Sequence, residues 1–488
     1  MGGLGELSVF VHRVRDFLRG PAVTCPPGTS VADVAALMQR AGAAVVVVGP
    51  DGAPLGIVTD RDLRTKVVAA RRDAGATRAG DVMSAPLRTI APEAFAFEAL
   101  LEMTRREIHH LVVVEAGRVA GLLASDDLLM AQAVHPVMLA REIAQAPSRE
   151  ALAGCAAGVT ALVQRLVADG GRVGDIARIV AELNDRIVTR ILAQAEAALA
   201  ERGDGGPPVT YCWLVFGSEA RREQTLRTDQ DNGLVYADPP PELVSRAAEY
   251  FTRLADEAIA GLIAVGFPPC PGNAMASNPR WCQPLAVWRE YFREWMARPT
   301  PAHILTASMY FDLRPIVGAA TLGESLAALL RDEAPGQRQF LTAMTKDVVD
   351  RRLPVGLFGG LRVPRSGPRR GALDLKGAGG MQFVGAARVH ALELGLAETG
   401  TAERFLAAGG RGLYDPAVAT QIVDAHEDLL RLRLAHQLAC VREGRPPDND
   451  VRPGDLSRRD DVLLREALRV AGRVQARLRE RFATDFAL

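Results

Sequence analysis

The sequence predicts an α/β multidomain chain: a duplicated helix-and-strand module, a helical connector, a strand-based domain with flanking helices, and a helical C-terminal half. Three observations carry this reading. Near the N-terminus a unit repeats at a fixed offset, with Pro27 and Pro92 spaced like Gly56 and Gly121. An Ala-rich stretch with three- and four-residue apolar spacing follows. Past a Gly/Pro break at Arg202 to Pro208, the β-branched and aromatic run Val209 to Phe216 reads as a buried strand.

A chain of 488 residues with 48% apolar and 24% charged residues is globular and too long for one core. The expected divisions are an N-terminal helix over 1–19, the repeat over 20–135, the connector over 136–204, the strand-based domain over 205–335 and the helical domain over 336–488. Lysine plus arginine equals aspartate plus glutamate, 58 each, which argues against a protein held on a nucleic-acid backbone. The six cysteines show no CxxC spacing and read as reduced, mostly buried small hydrophobes. A zinc site at Cys270 and Cys282 is not expected, since no paired ligand motif accompanies them. The first 20 residues carry Arg13, Asp16 and Arg19, unlike a signal peptide, and the longest apolar runs fall short of a membrane span. The expectation is a cytoplasmic protein with no membrane partner.

In the repeat, "PGTSVADVAALMQRAGAAVVVV" and "PEAFAFEALLEMTRREIHHLVVV" each read as an amphipathic helix and a β-branched strand. A Gly-led strand and an acidic helix start follow, "GIVTDRDL" and "GLLASDDL". This pattern resembles a tandem pair of CBS domains. The resemblance implies adenine-nucleotide sites in the clefts between repeats, with a hydroxyl on phosphate, a carboxylate on ribose, and a helix N-terminus behind. Thr59 and Asp62 occupy those positions in the first repeat. In the second, Asp127 keeps the carboxylate while Ala124 replaces the hydroxyl. A pair that only dimerises is the alternative. His109 and His110 read as packing or turn residues.

The connector, about Met138 to Glu201, carries Ile176, Ile179, Val180, Leu183, Ile187 and Ile191 on one helical face. Arg178, Glu182, Asp185, Arg186 and Arg190 fall on the other, read as solvated.

The segment "VTYCWLVFGSEARREQTLRTDQDNGLVYAD" is the most informative. Gly217 and Ser218 end the first strand, and Asp229 and Asp231 enter the second, Gly233 to Tyr236. Two positions apart on extended chain, both carboxylates point to one face. Such a pair calls for a divalent cation, and hard oxygen donors favour Mg²⁺ or Mn²⁺. Nucleotidyl transfer needs that arrangement: metal-held carboxylates, and donors on the phosphates from the Gly217 backbone and the Ser218 hydroxyl. Asp312, in the apolar "YFDLRPIVG", is the candidate third carboxylate and metal ligand, since a lone buried acid needs a partner.

Gly217, Ser218, Arg221, Asp229 and Asp231 resemble the polymerase-β-type nucleotidyltransferase superfamily. The longer string "GSEARREQTLRTDQDN", with "CPGNAMASNPRW" and "FDLRPIVG", resembles a branch of bacterial signalling proteins related to the PII-protein uridylyltransferase. In that branch CBS modules are fused to the transferase. Arg222 and Asn273 stand where glycines are expected. The resemblance implies Ser218 and Arg221 on phosphate and a C-terminal helical domain that closes the nucleotide cleft. In "ALDLKGAGGMQFVGAARVHALEL", Lys376 is either a phosphate ligand or a surface lysine at a turn. The Arg-rich tracts 362–371 and 451–461 read as mobile loops, and Val462 to Phe482 as a helix.

The functional expectation is a Mg²⁺- or Mn²⁺-dependent nucleotidyltransferase taking a nucleoside triphosphate. Its acceptor is a protein of PII-like type or a small-molecule hydroxyl, and adenine nucleotide on the CBS pair regulates it. A homodimer through the CBS pair is expected. The alternative is a non-catalytic adenine-nucleotide sensor; a polymerase acting on nucleic acid is disfavoured by the charge balance.

Overall fold

The computed structural model describes residues 13–484 apart from 19, 42–43, 107, 126–127, 129–135, 227–228, 357–359 and 368. The chain divides into two compact units, Met1–Met138 and Leu139–Leu488.

The first unit builds one small motif twice. β1 (Thr24–Cys25) precedes α1 (Val31–Ala41), β2 (Val45–Val48) and β3 (Pro54–Val58). β4 (Thr89–Ile90), α2 (Ala96–Arg106), β5 (His110–Glu115) and β6 (Arg118–Ala124) repeat the order. Each copy pairs its first two strands parallel and its last two antiparallel, with a register shift at Val47/Val48 in one and Val113/Val114 in the other. The four valines of β2 form a strand because β-branched side chains suit a pleated, buried surface. Val31, Val34 and Met38 of α1, at three- and four-residue steps, close over Val45, Val47 and Val58. The duplicated glycines share a packing reason. A Cβ on Gly56 would lie 2.5 Å from the Met83 sulfur, and one on Gly121 would lie 2.9 Å from Leu18. The helix expected over 1–19 is, in its described part, a four-residue 3-10 turn, Val14–Phe17, that buries Val14 and Phe17 in the core of the second copy.

The second unit begins at Leu139 within α3 (Pro136–Gln145) and continues with α4 (Arg149–Ala168) and α5 (Val173–Glu201). α5 buries Ile176, Val180, Leu183, Ile187 and Ile191. It is not a free-standing spacer, because it packs against the sheet and the C-terminal helices. Asp185, read as solvated, is paired through both oxygens with Arg314 at 2.6 and 2.9 Å. α4 is the one helix among the described residues long and apolar enough to cross a membrane by length and composition. It packs on α5 with Leu152, Val159 and Leu162 buried.

Then come β7 (Tyr211–Phe216), β8 (Asn232–Tyr236), α6 (Val244–Val265), β9 (Cys282–Pro284), α7 (Leu285–Ala297), α8 (Pro301–Tyr310), β10 (Leu313–Gly318) and α9 (Ala320–Glu333). They form one mixed sheet, ordered β10-β7-β8-β9, with only the β8/β9 pairing parallel. Every residue of β7 and β8 is buried. Phe216, Trp281, Trp288 and Tyr310 make an aromatic core beside it, Trp281 and Tyr310 with centroids 4.1 Å apart.

The C-terminal half comprises α10 (Arg338–Val349), β11 (Leu373–Asp374), α11 (Met381–Leu394), α12 (Thr401–Gly410), α13 (Pro416–Arg442), β12 (Asp450–Val451) and α14 (Arg458–Phe482). β11 and β12 pair antiparallel. The tract 451–461, expected as a mobile loop, is ordered. It contributes a strand end, a 3-10 turn and the start of α14, whose Ser457 hydroxyl accepts from the Asp460 N–H. All six cysteines are free, and five are buried.

Candidate active site

Strand β7 delivers the chain to the site and Gly217 turns it. Gly217 adopts φ +58°, a conformation that disfavours any side chain, and starts the short helix Gly217–Ala220. Its N–H donates to the Asp312 carbonyl at 3.0 Å, and the Phe216 N–H donates to the Asp231 carbonyl at 2.9 Å. Gly217 and Asp231 are thus neighbours: a Cβ at 217 would meet Asp231 Oδ2 at 3.4 Å.

Asp229 and Asp231 come together, and Cys270 stands with them. One ligand atom from each lies within 4.8 Å of the others. The loop carrying Cys270 is tied to the strand entry by the Gln230 N–H on the Pro268 carbonyl (3.1 Å) and the Asn232 N–H on the Ala274 carbonyl (3.0 Å). The Asn232 side chain accepts from the Ala276 N–H at 2.8 Å. Burial pushes the Asp231 carboxyl up to about 6; its hydrogen bond with Cys270 opposes this and the Asp229 charge reinforces it. Asp231 Oδ1 is buried without a hydrogen-bond partner. A carboxylate pair with an orphaned oxygen fits a divalent cation, which would supply the missing partner and cancel the like charges. Cys270, set aside in the sequence, stands beside this pair, because the cysteine loop runs next to the aspartates.

Asp312 does not join them. It is fully buried, and three guanidiniums hold its carboxylate. Arg388 donates at 2.7 and 3.1 Å, Arg404 at 2.6 Å and Arg221 at 2.6 Å. Burial alone would raise its pKa, but Arg388, Arg404 and Arg221 hold it well below the usual carboxylate range. The expectation of Asp312 as a catalytic, metal-ligating acid is therefore corrected: with every lone-pair direction facing a cation, a metal ion there would be repelled. Its partner is arginine, and it joins the sheet to α11 and α12.

Arg221 is likewise committed, bridging Asp312 and Glu223, the latter at 2.7 Å. It still lines a small cavity with Ser218, Lys376, Met381, His426 and Arg433. The cavity holds ≈ 30 Å³, room for about one water. Lys376 opens the turn Lys376–Gly380, held by the Gly377 N–H on Asp374 Oδ1 at 2.9 Å. Its charge acts on Asp231. Arg433 donates to the Thr225 hydroxyl at 3.0 Å, yet its Nε has no hydrogen-bond partner; neither ring nitrogen of His426 has one, though its Nε2 lies 3.8 Å from Glu223 Oε1. Burial pulls Arg433 down to about 10, opposed by the Glu223 charge. Sequence reading missed both residues. Seven positions apart, they share a face of α13, which was legible, but nothing local links that face to Ser218. Glu219 is also buried; burial, then the Asp185 charge, pushes its carboxyl up to about 8.

In the first unit, Asp62 is 4% exposed. It accepts from the Thr59 N–H (2.9 Å), the Thr59 hydroxyl (2.7 Å) and the Ser84 hydroxyl (2.7 Å), and pairs with Lys66 at 2.7 Å. Thr59 and Asp62 therefore form a capping box at a helix start, so neither is idle in this form. They wall a cavity of ≈ 450 Å³ with Lys66, Arg88, His109 and His110, a volume in the range of small-molecule sites. The two histidines, expected as packing or turn residues, line it. Asp127 lies outside the described residues, and Ala124 ends β6.

Comparison with known proteins divides the chain in three. Residues 14–69 and 79–134 match the CBS domain family. Residues 157–302 match the family described as "Putative nucleotidyltransferase DUF294", and 338–482 that described as "Putative nucleotidyltransferase substrate binding domain". An uncharacterized Methanopyrus kandleri protein is 30% identical over 129 residues, 26% of this chain and 64% of that protein. The CBS domain-containing protein YhcV of Bacillus subtilis is 29% identical over 24% of this chain and 84% of its own length. The chain thus spans just under two thirds of the first relative. Among solved structures, a Pyrobaculum aerophilum CBS domain protein complexed with AMP is 25% identical, covers 25% of this chain and all of its own, and has a TM-score of 0.23.

Proposed function

The chain belongs with the CBS-domain proteins fused to a DUF294 nucleotidyltransferase-type domain and its substrate-binding companion, and we propose that it transfers a nucleoside monophosphate from a triphosphate to an acceptor hydroxyl. The observation that carries the proposal is a pairing of opposites. The Asp229 and Asp231 cradle, with an orphaned buried oxygen, is matched by a cavity wall that carries Ser218, Lys376 and Arg433, whose Nε has no hydrogen-bond partner. A metal-bound triphosphate satisfies both at once.

In this reading Asp229 and Asp231 hold Mg²⁺ or Mn²⁺, which when bound neutralises phosphate charge and activates the attacking hydroxyl. The positive φ of Gly217 lets the backbone come close to the phosphates. The Ser218 hydroxyl donates to a phosphate oxygen, and Lys376 and Arg433 Nε offset the triphosphate charge. Arg221 and Asp312 position the Gly217–Ala220 turn rather than touch the nucleotide. The acceptor is a hydroxyl of a PII-like regulatory protein, the donor is UTP or ATP, and adenine nucleotide in the cleft at Thr59 and Asp62 regulates transfer in a homodimer.

One observation favours the alternative, a sensor that binds nucleotide without turnover: the cavity beside Ser218 is small as it stands, ≈ 30 Å³. Incubation with each α-labelled nucleoside triphosphate, Mg²⁺ or Mn²⁺ and cell extract separates the two. The expected result is label on an acceptor, lost in Asp229→Asn and Asp231→Asn. Tight adenylate binding without label transfer under any donor would leave the sensor.

A further inference from the structure

Cys270 has no role in the reading above, yet the fold goes to some length to place it. Its loop runs beside the Asp229–Asn232 segment, bonded through the Gln230 and Asn232 backbones and the Asn232 side chain. Gln230 also bridges to Pro269 in parallel register and donates its side-chain amide to the Phe267 carbonyl at 3.3 Å. Cys270 is 7% exposed, and its sulfur shares the 4.8 Å cluster with the two carboxylates. A second observation marks the same spot. The Tyr310 hydroxyl, 2% exposed, has no hydrogen-bond partner. Burial raises its pKa most, the Asp231 and Cys270 charges add to this, and the Arg280 charge opposes it. A buried oxygen of Asp231 and the buried Tyr310 hydroxyl thus both lie unsatisfied around the cluster.

We infer that Cys270 is the third protein ligand of this cradle, giving an O,O,S site for a borderline divalent cation such as Mn²⁺, Co²⁺ or Zn²⁺ rather than an all-oxygen Mg²⁺ site. Carboxylates alone suit hard ions, whereas a thiolate shifts preference toward softer ones. On binding, the S–H bond breaks, the metal–sulfur bond forms, and the proton passes to solvent. The inference rests on the reading of Asp229 and Asp231 as cation ligands. Zn²⁺ would then occupy the site more tightly than Mg²⁺ and lock out the ion that turnover uses.

The test is Co²⁺ titration of the metal-free full chain, following near-ultraviolet absorbance and, in parallel, binding by calorimetry. A second cluster, His436, Cys440 and Asp448, also has its ligand atoms within 4.8 Å, so Cys440→Ser is the necessary control. The expected result is a thiolate-to-cobalt charge-transfer band in the wild type. Cys440→Ser keeps it, Cys270→Ser and Cys270→Ala lose it while still binding Co²⁺, Zn²⁺ bleaches it and Mg²⁺ does not. Co²⁺ binding with no such band, or a band that survives in both Cys270 variants, overturns the thiolate ligand and leaves the carboxylate cradle standing. Calorimetry that finds no divalent ion bound in the wild type overturns both.

Discussion

The Arg388 guanidinium meets the Asp312 carboxylate through two hydrogen bonds, Nη2 to Oδ2 at 2.7 Å and Nε to Oδ1 at 3.1 Å, with both residues buried. Arg388 lies in α11, Arg404 in α12 and Asp312 immediately before β10, so these two contacts hold the helical half on the sheet, and that of Arg221 ties in the turn after β7. Three buried cations around one anion leave no room to lose the anion.

Asp312→Ala is therefore expected to destabilise the second unit strongly, by about 3–5 kcal/mol, since it leaves buried guanidiniums uncompensated. Urea unfolding checks this. Unchanged stability with lost transfer activity would return Asp312 to the catalytic set.

Glu219 makes a pH-dependent prediction. Its folded pKa is raised from 4.5 to about 8, mainly by burial. The folded state therefore holds its proton more tightly than the unfolded one, so stability is full below 4.5 and falls as pH rises toward about 8. Glu219→Gln, neutral at every pH, is expected to match the wild type under acid conditions and exceed it by a few kcal/mol at high pH. Thermal melts across that range decide it, and a gap that does not widen with pH refutes it.

Gly217→Ala places a methyl at φ +58°, 3.4 Å from Asp231 Oδ2. The expected cost is about 1–2 kcal/mol of backbone strain. Divalent-ion affinity, read by calorimetry, should also fall, because Asp231 is the neighbour that must give way. Loss of stability with metal binding intact would separate the two.

Arg88 is exposed on the wall of the ≈ 450 Å³ cleft. Arg88→Ala is expected to weaken ATP binding about tenfold, roughly 1.4 kcal/mol, and adenosine little, with the melting temperature unchanged. Equal loss for both ligands would show that the phosphates lie elsewhere.

Several of these features could be read along the chain. The repeat was legible because Gly56 and Gly121 each mark a place where a neighbouring side chain presses on the backbone, and duplication copied the need along with the residue. The Asp229/Asp231 pair was legible because two-residue spacing on extended chain is itself a geometry. Asp312 showed the limit. Burial of a lone acid correctly demanded a partner, but arginines 76 and 92 positions downstream answer that demand as well as a metal does.

The amino-acid order by itself determined the local elements, the duplicated module and the carboxylate pair, since periodicity, β-branching and glycine positions act over a few residues. Only the tertiary structure decided which charges meet. It gave Asp312 to three arginines, brought Cys270 to the aspartates, and turned His426 and Arg433 of a distant helix toward Ser218. Electrostatic pairing depends on distance through space and on burial, and neither is written in sequence separation.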